Sequence, residues 1–194
     1  MRSPIPLLAA VAAIAVAAVL AAVPLPALAQ SEDRAWNECK RNPDPDWVIF
    51  NCTAVIDGGT PRSNTRKARA HVLRAGAYER KKTIETARAD LNRAIELARA
   101  NPDIRMARAE FLIRQGELEA ATEDVEFSLQ ASPNSARAWF GRASIARTKG
   151  DTASAVAALD KVLAIDPRYP RARTLRSELT TATPATPGTA RTGS

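Results

Sequence analysis

The chain has 194 residues, of which 45% are hydrophobic and 25% charged, a composition that excludes a disordered polymer and fits one ordinary domain with appendages. Its formal charge is +7, a balance often found in nucleic-acid binders. Here the arginines are spread through every predicted helix instead of clustering, and the chain opens on an export signal, so the reading excludes nucleic acid as a partner.

That signal comes first. Met1 and Arg2 precede an uncharged run of Leu, Ala, Val and Ile from Leu7 to Val23. Pro24 and Pro26 break the run, and Ala27-Leu28-Ala29 supplies small residues at the −3 and −1 positions of a signal-peptidase site. Residues 1–29 therefore read as a secretory signal peptide outside the fold. The alternative is an uncleaved membrane anchor, because the run approaches the ~20 apolar residues that a spanning helix needs. Cleavage removes only Arg2 among charged residues, so the charge falls from +7 to +6 and the mature chain stays basic, with no membrane span left. The expected location is the periplasm, or the membrane face if the segment is retained.

Residues 30–66 form a leading helix pair and linker. Ser31 to Lys40 is a short helical piece, Asn42-Pro43-Asp44-Pro45 makes a turn, and Asp46 to Asp57 is a second helix. Val48, Cys52, Val55 and Ile56 share a face of that helix, and Gly58-Gly59 ends it. Cys39 and Cys52 are the two cysteines of the chain. An even pair in an oxidising compartment predicts a disulfide, and the spacing is far from the C-x-x-C of thioredoxin-like redox sites.

From Ala68 onward the sequence repeats with a step of 34 residues. Ala75, Ala109 and Ala143 form one column and Ala87, Ala121 and Ala155 another. Leu91, Val125 and Leu159 agree in type, as do Ile95, Leu129 and Leu163. Gly116 aligns with Gly150, and Pro133 with Pro167. Within each block, apolar residues recur at helical spacing in two halves, with a helix-ending glycine and a capping residue between them, as in Gly150-Asp151. Each block is a pair of antiparallel helices.

These columns resemble the tetratricopeptide repeat family, as seen in exported bacterial proteins. Trp139, Ala143, Gly150, Ala155, Leu159 and Pro167 carry the resemblance in the last block. Ala109, Gly116, Ala121, Val125 and Pro133 carry it in the middle one, and Ala75, Tyr78, Ala87, Leu91 and Ala94 in the first. The implied fold is all-α, with antiparallel helix-pair repeats over residues 67–169 forming a short right-handed superhelical solenoid. Three departures stand out. Lys82 replaces the turn glycine of the first block, and Arg99 stands where a proline is expected, which predicts that the second helix there runs on towards Ala100. His71 and Arg105 occupy the column of Trp139, which predicts weaker outer packing in the first two blocks. Beyond the repeats, residues 170–180 read as a capping helix with Arg171, Arg173 and Arg176 towards solvent, and 181–194 as a disordered tail.

Catalytic chemistry has no candidate. His71 is the single histidine and sits at a packing column, no Cys/His group has metal-ligand spacing, and Asp57-Gly58-Gly59-Thr60 lacks the phosphate-loop pattern. The acidic pairs Glu117 with Glu119 and Glu123 with Asp124 read as solvent-facing, and Trp36, Trp47 and Trp139 as core or interface aromatics. The expectation is a non-enzymatic protein with no catalytic residue, cofactor or metal. What the resemblance implies instead is a concave face lined by the first helices, for a protein or peptide partner. By column, Val72, Met106 and Phe140 form its apolar strip, with Arg80, Arg114 and Arg147 around it. The alternative is that the strip is half-buried packing. Two functional expectations follow: a scaffold that docks a partner in this groove, or a structural subunit of an envelope complex that uses convex or end surfaces.

If the signal reading holds, N-terminal sequencing of the exported protein should begin at Gln30. A retained Met1 in the membrane pellet would instead establish the anchor.

Overall fold

The computed structural model describes residues 25–58 and 64–182. Among these are nine α-helices and no strand: α1 Leu25–Arg41, α2 Pro45–Asp57, α3 Asn64–Arg80, α4 Ile84–Leu97, α5 Pro102–Gln115, α6 Leu118–Ala131, α7 Ala136–Thr148, α8 Thr152–Ile165 and α9 Pro170–Ala182. The expected signal run to Val23 and the tail from residue 183 lie outside the described residues. The expected cleavage point between Ala29 and Gln30 falls inside the opening turns of α1, which starts earlier than Ser31. No described helix is long and apolar enough to cross a membrane.

Each helix packs on its neighbour in sequence, and α1, α3, α5 and α7 also pack on one another in order. The result is an all-α helical-repeat solenoid. Its starts are set by local chemistry. The Asp44 side chain accepts from the Asp46 amide, with Pro45 in the first turn of α2. Asn101 accepts from the amides of Asp103 and Ile104, with Pro102 in the first turn of α5. Ser135 and Asp151 cap α7 and α8 through the amides of Ala138 and Ser154. Each side chain satisfies an amide that the helix geometry leaves unpaired, and proline tolerates the first turn because it has no N–H to lose.

The alanine columns are where the paired backbones meet. Ala75, Ala87, Ala109, Ala121, Ala143 and Ala155 are all buried, none more than 2% exposed. Around them run the apolar clusters, with Met106, Phe111, Leu112 and Val125 in the middle of the array and Phe140, Leu159, Val162 and Leu175 towards α9. One close approach lies outside these columns. A Cβ added at Gly141 would stand 3.0 Å from Met106 Cε and 3.1 Å from Val125 Cγ2, tight enough that these side chains would have to shift, so the bare position lets α7 seat closely against α5 and α6.

The leading pair is fastened twice. Cys39 and Cys52 are bonded to each other and buried. Their separation of 13 residues closes a loop for which chain entropy gives about 3 kcal/mol. Val48 and Val55 of α2 then pack with Ala70 and Ala77 of α3, so a small-residue face on α3 receives the pair. Trp36 is half-buried in the same cluster, whereas Trp47 is 48% exposed on the outer side of α2.

Two expectations change. The helix expected to run on to Ala100 ends at Leu97. The Ala98 amide still bonds back to Ala94 and Ile95, but the Asn101 amide then turns to the Ala98 carbonyl at 3.0 Å. A residue before proline is driven out of the helical region, so Pro102 and the capping demand on Asn101 stop α4 without a proline at position 99. The capping helix, in turn, continues past residue 180 to Ala182.

Gly116 and Gly150 end their helices with φ of 81° and 79°, and Lys82 takes the same left-handed role with φ 64°. A side chain there costs ~1–2 kcal/mol, partly offset by the greater chain entropy that glycine loses on folding. Lys82→Gly should therefore raise stability by about 0.5–1 kcal/mol, read as a higher urea midpoint by circular dichroism. A lower midpoint would contradict the left-handed turn.

Candidate functional site

The polar framework behind the surface begins with Asp90 on α4. Arg74 on α3 donates from Nε and a terminal nitrogen to its two carboxylate oxygens, both at 2.8 Å, and from its other terminal nitrogen to Thr53 Oγ1 on α2. His71 Nδ1 lies 2.8 Å from Asp90 Oδ1. One repeat on, Arg108 grips Asp124 at 2.6 and 3.0 Å and Asn92 at 2.9 Å, while Arg105 adds a bond to Asp124 at 3.0 Å. Arg74 and Arg108 each tie the second helix of their own repeat to the second helix of the pair before. In the third repeat Ala158 replaces the aspartate, Trp139 fills the column of His71 and Arg105, and Arg142 stacks over Trp139 while reaching Glu126 at 3.7 Å. The expected weakness at positions 71 and 105 is thus corrected: cation–carboxylate clusters replace aromatic packing there. Asp124, read as solvent-facing, is fully buried, and Glu123 alone of that pair is exposed.

The first-helix face is laced by a second set of pairs. Arg114 on α5 donates twice to Glu79 on α3, at 2.7 and 2.8 Å. Arg137 on α7 donates twice to Glu110 on α5, at 2.6 and 2.9 Å. In both pairs the carboxylate hydrogen bonds hold the arginine above its ordinary pKa. Arg80 donates to the Pro43 carbonyl at 3.2 Å. Arg147 is exposed and has no ion-pair or hydrogen-bond partner for its side chain among the described residues. Of the six expected groove residues, then, Arg114 and Arg80 are already engaged and Arg147 is not.

The apolar strip does not stand as one surface. Met106 is 2% exposed and packs against Gly141, so it belongs to the core and is not open to a partner. Val72 is half-buried between two apolar clusters. Phe140 is largely covered, with Tyr169 stacked on it at 5.3 Å between centroids and the Arg171 guanidinium 4.7 Å from its ring. Its remaining edge faces a cleft of about 350 Å³ between α7 and α9, which Arg147 also lines. Sequence reasoning missed this cleft, since it depends on how α9 settles on α8. A second exposed feature lies on α2, where Trp47 and Phe50 stack at 5.8 Å and Phe50 is 66% exposed. Among the described residues no group of three or more His, Cys, Asp or Glu could hold a metal ion.

Models of the family described as Tetratricopeptide repeat match residues 68–101 and 106–170, together just over half of the chain. No curated protein matches the sequence. Among solved structures, Pseudomonas aeruginosa pilF is similar with a TM-score of 0.68 at 15% identity, over 80% of this chain and 70% of its own. MamA from Desulfovibrio magneticus RS-1 gives 0.64 at 12% identity, over 80% and 85%. The first repeat domain of Spaghetti (RPAP3), solved with the HSP90 peptide SRMEEVD, gives 0.56 at 15% identity, over 63% and 98%. At such identities the likeness is one of fold.

The buried Asp90 cluster makes stability depend on pH. Burial by itself raises the Asp90 carboxyl, but the hydrogen bonds from Arg74 and His71 outweigh it and leave the group below its ordinary value. A depressed carboxyl contributes stability that is full above its unfolded value, near pH ~4, and is lost as pH falls through the folded one. The melting temperature should therefore drop as pH is taken from about 5 to about 3. Asp90→Asn should cost about 1–3 kcal/mol near neutral pH and flatten that acid slope. An unchanged slope in Asp90→Asn would show that the cluster does not govern it.

Proposed function

Because the chain belongs to the tetratricopeptide repeat family, we propose that it is an exported scaffold that holds a partner protein or peptide on the concave face of its repeats. The observation that carries this reading is the continuity of the first-helix face. The pairs Glu79–Arg114 and Glu110–Arg137 bridge α3 to α5 and α5 to α7, so three repeats present one surface held in register. Such a surface meets an extended partner at several points without paying to order itself, which is how a rigid groove gains affinity. The RPAP3 domain, similar in fold, was solved bound to a peptide, which supports this reading. Export rests on the apolar run, the Ala27-Leu28-Ala29 box and the disulfide, which together fit the periplasm.

A second reading has its own observation. The stacked Trp47 and Phe50 on α2 form an exposed aromatic pair away from the first-helix face, as a structural subunit docked through an outer surface would require.

Photo-cross-linking separates the two. An added side chain at Gly76, on α3, meets nothing within 4 Å, so Gly76→Cys can carry a benzophenone on the first-helix face, and Phe50→Cys can carry one on α2. Cross-links from position 76 to a defined envelope protein, competed by unlabelled protein, are the expected result. Cross-links confined to position 50 would put the structural-subunit reading in its place.

A further inference from the structure

One ion pair of the first-helix face occupies columns whose residues change at every repeat, with Gly76 and Asp103 one step before it and no acid one step after. Glu110 and Arg137 stand 27 residues apart and meet across the α5–α7 junction. Advanced by one repeat of 34, the same two positions are Ser144 on α7 and Arg171 on α9. Serine brings no carboxylate, and its hydroxyl donates to the Phe140 carbonyl at 2.9 Å instead. Arg171 therefore faces no carboxylate of this chain within ion-pair distance among the described residues, and it lies over the Phe140 ring. The cleft between α7 and α9 opens beside Ser144, which lines it with Phe140 and Arg171. Arg147, also without an ion-pair partner among the described residues, lines it together with Leu175, and Glu178 is the one acid among the described lining residues, leaving the two guanidinium groups in excess.

We propose that this cleft takes an aspartate or glutamate side chain of the partner, whose carboxylate fills the place that Glu110 holds one repeat earlier. The guanidinium fork of Arg171 matches a carboxylate by paired N–H donors. Arg147 adds a second cation, and an apolar residue beside the acid rests on Phe140 and Leu175. The partner is thus an acidic segment with interleaved apolar residues, bound by its side chains. This deepens the scaffold reading and takes it as its premise.

The test uses a defined probe, an N-acetylated, C-amidated peptide of alternating Glu and Leu, titrated into the full exported protein while the arginine Nε signals are followed by NMR. The expected result is saturable movement of the Arg147 and Arg171 signals, weakened at least tenfold when Gln replaces Glu in the peptide. Ser144→Glu should complete the internal pair, leave the melting temperature equal or higher, and weaken the peptide at least tenfold. Arg171→Gln should weaken it comparably. Unchanged binding in a folded Ser144→Glu protein would overturn the assignment. So would equal binding of a Gln peptide with a free C-terminus, which would point to a terminal carboxylate instead. Partner cross-linking from position 76 does not touch the cleft, so intact cross-linking with a flat titration removes the cleft and leaves the scaffold. Saturable Glu-peptide binding with no cross-linking removes the scaffold reading alone.

Discussion

The arrangement depends on two backbones coming close enough to touch at alanine. Ala75 with Ala87, and their counterparts 34 and 68 residues on, sit where the helices of each pair cross. A methyl group there lets the helices approach to their nearest packing distance, and any larger group would push them apart or off their rotamers. Once that distance is set, every longer side chain has its direction chosen for it. The leucines and valines of the second helices turn into the shared core, while the arginines of the first helices are carried to the junctions between repeats. Gly141 extends the same logic, because it admits Met106 and Val125 to a space that even a methyl group would crowd.

The junctions then show two chemistries at one position. Where His71 and Arg105 stand, a buried aspartate across the helix pair collects several donors. Where Trp139 stands, alanine faces it and the ring fills the space. Taking a carboxylate out of water costs several kcal/mol, and the cost is met only when geometry and donor count are good. Asp90 and Asp124 each take three hydrogen bonds from arginine or histidine side chains. Because Arg74 and Arg108 also bond the preceding pair, at Thr53 and Asn92, they specify stacking between repeats as well as pairing within them.

The period, the caps and the alanine columns were readable in the sequence because each rests on local residue type at fixed spacing. The buried aspartates were readable in principle, since Asp90 and Asp124 share a column with the repeat step. They were hidden because an aspartate on a charged helix looks like any solvated acid until its partners on the preceding helix are placed. The groove strip failed at Met106 for a similar reason. Its side chain goes inward because Gly141 on a different helix leaves room for it, and nothing at position 106 announces that. Arg114 and Arg147 look alike in sequence, yet Glu79 engages the first and, among the described residues, no side chain pairs with the second. The end of α4 was legible only through Pro102, a residue of the next helix. In each case the deciding information lay in another element.

The division between charged and aromatic junctions makes the array uneven along its length. A solenoid is stabilised by its units and by the interfaces between nearest neighbours, so it has no need to lose its structure all at once. The repeat nearest the disulfide is held by the Asp90 carboxylate, which protonation can disable, while the third repeat meets its cap through the apolar contacts of Phe140, Leu159, Val162 and Leu175, with an Arg176–Asp160 pair at the surface. In acid the molecule should therefore come apart in order, with α3 and α4 loosening first beside a leading pair still bonded to itself, while the apolar cluster of α7, α8 and α9 persists longer. A domain that looks uniform in its repeat would then behave mechanically as two.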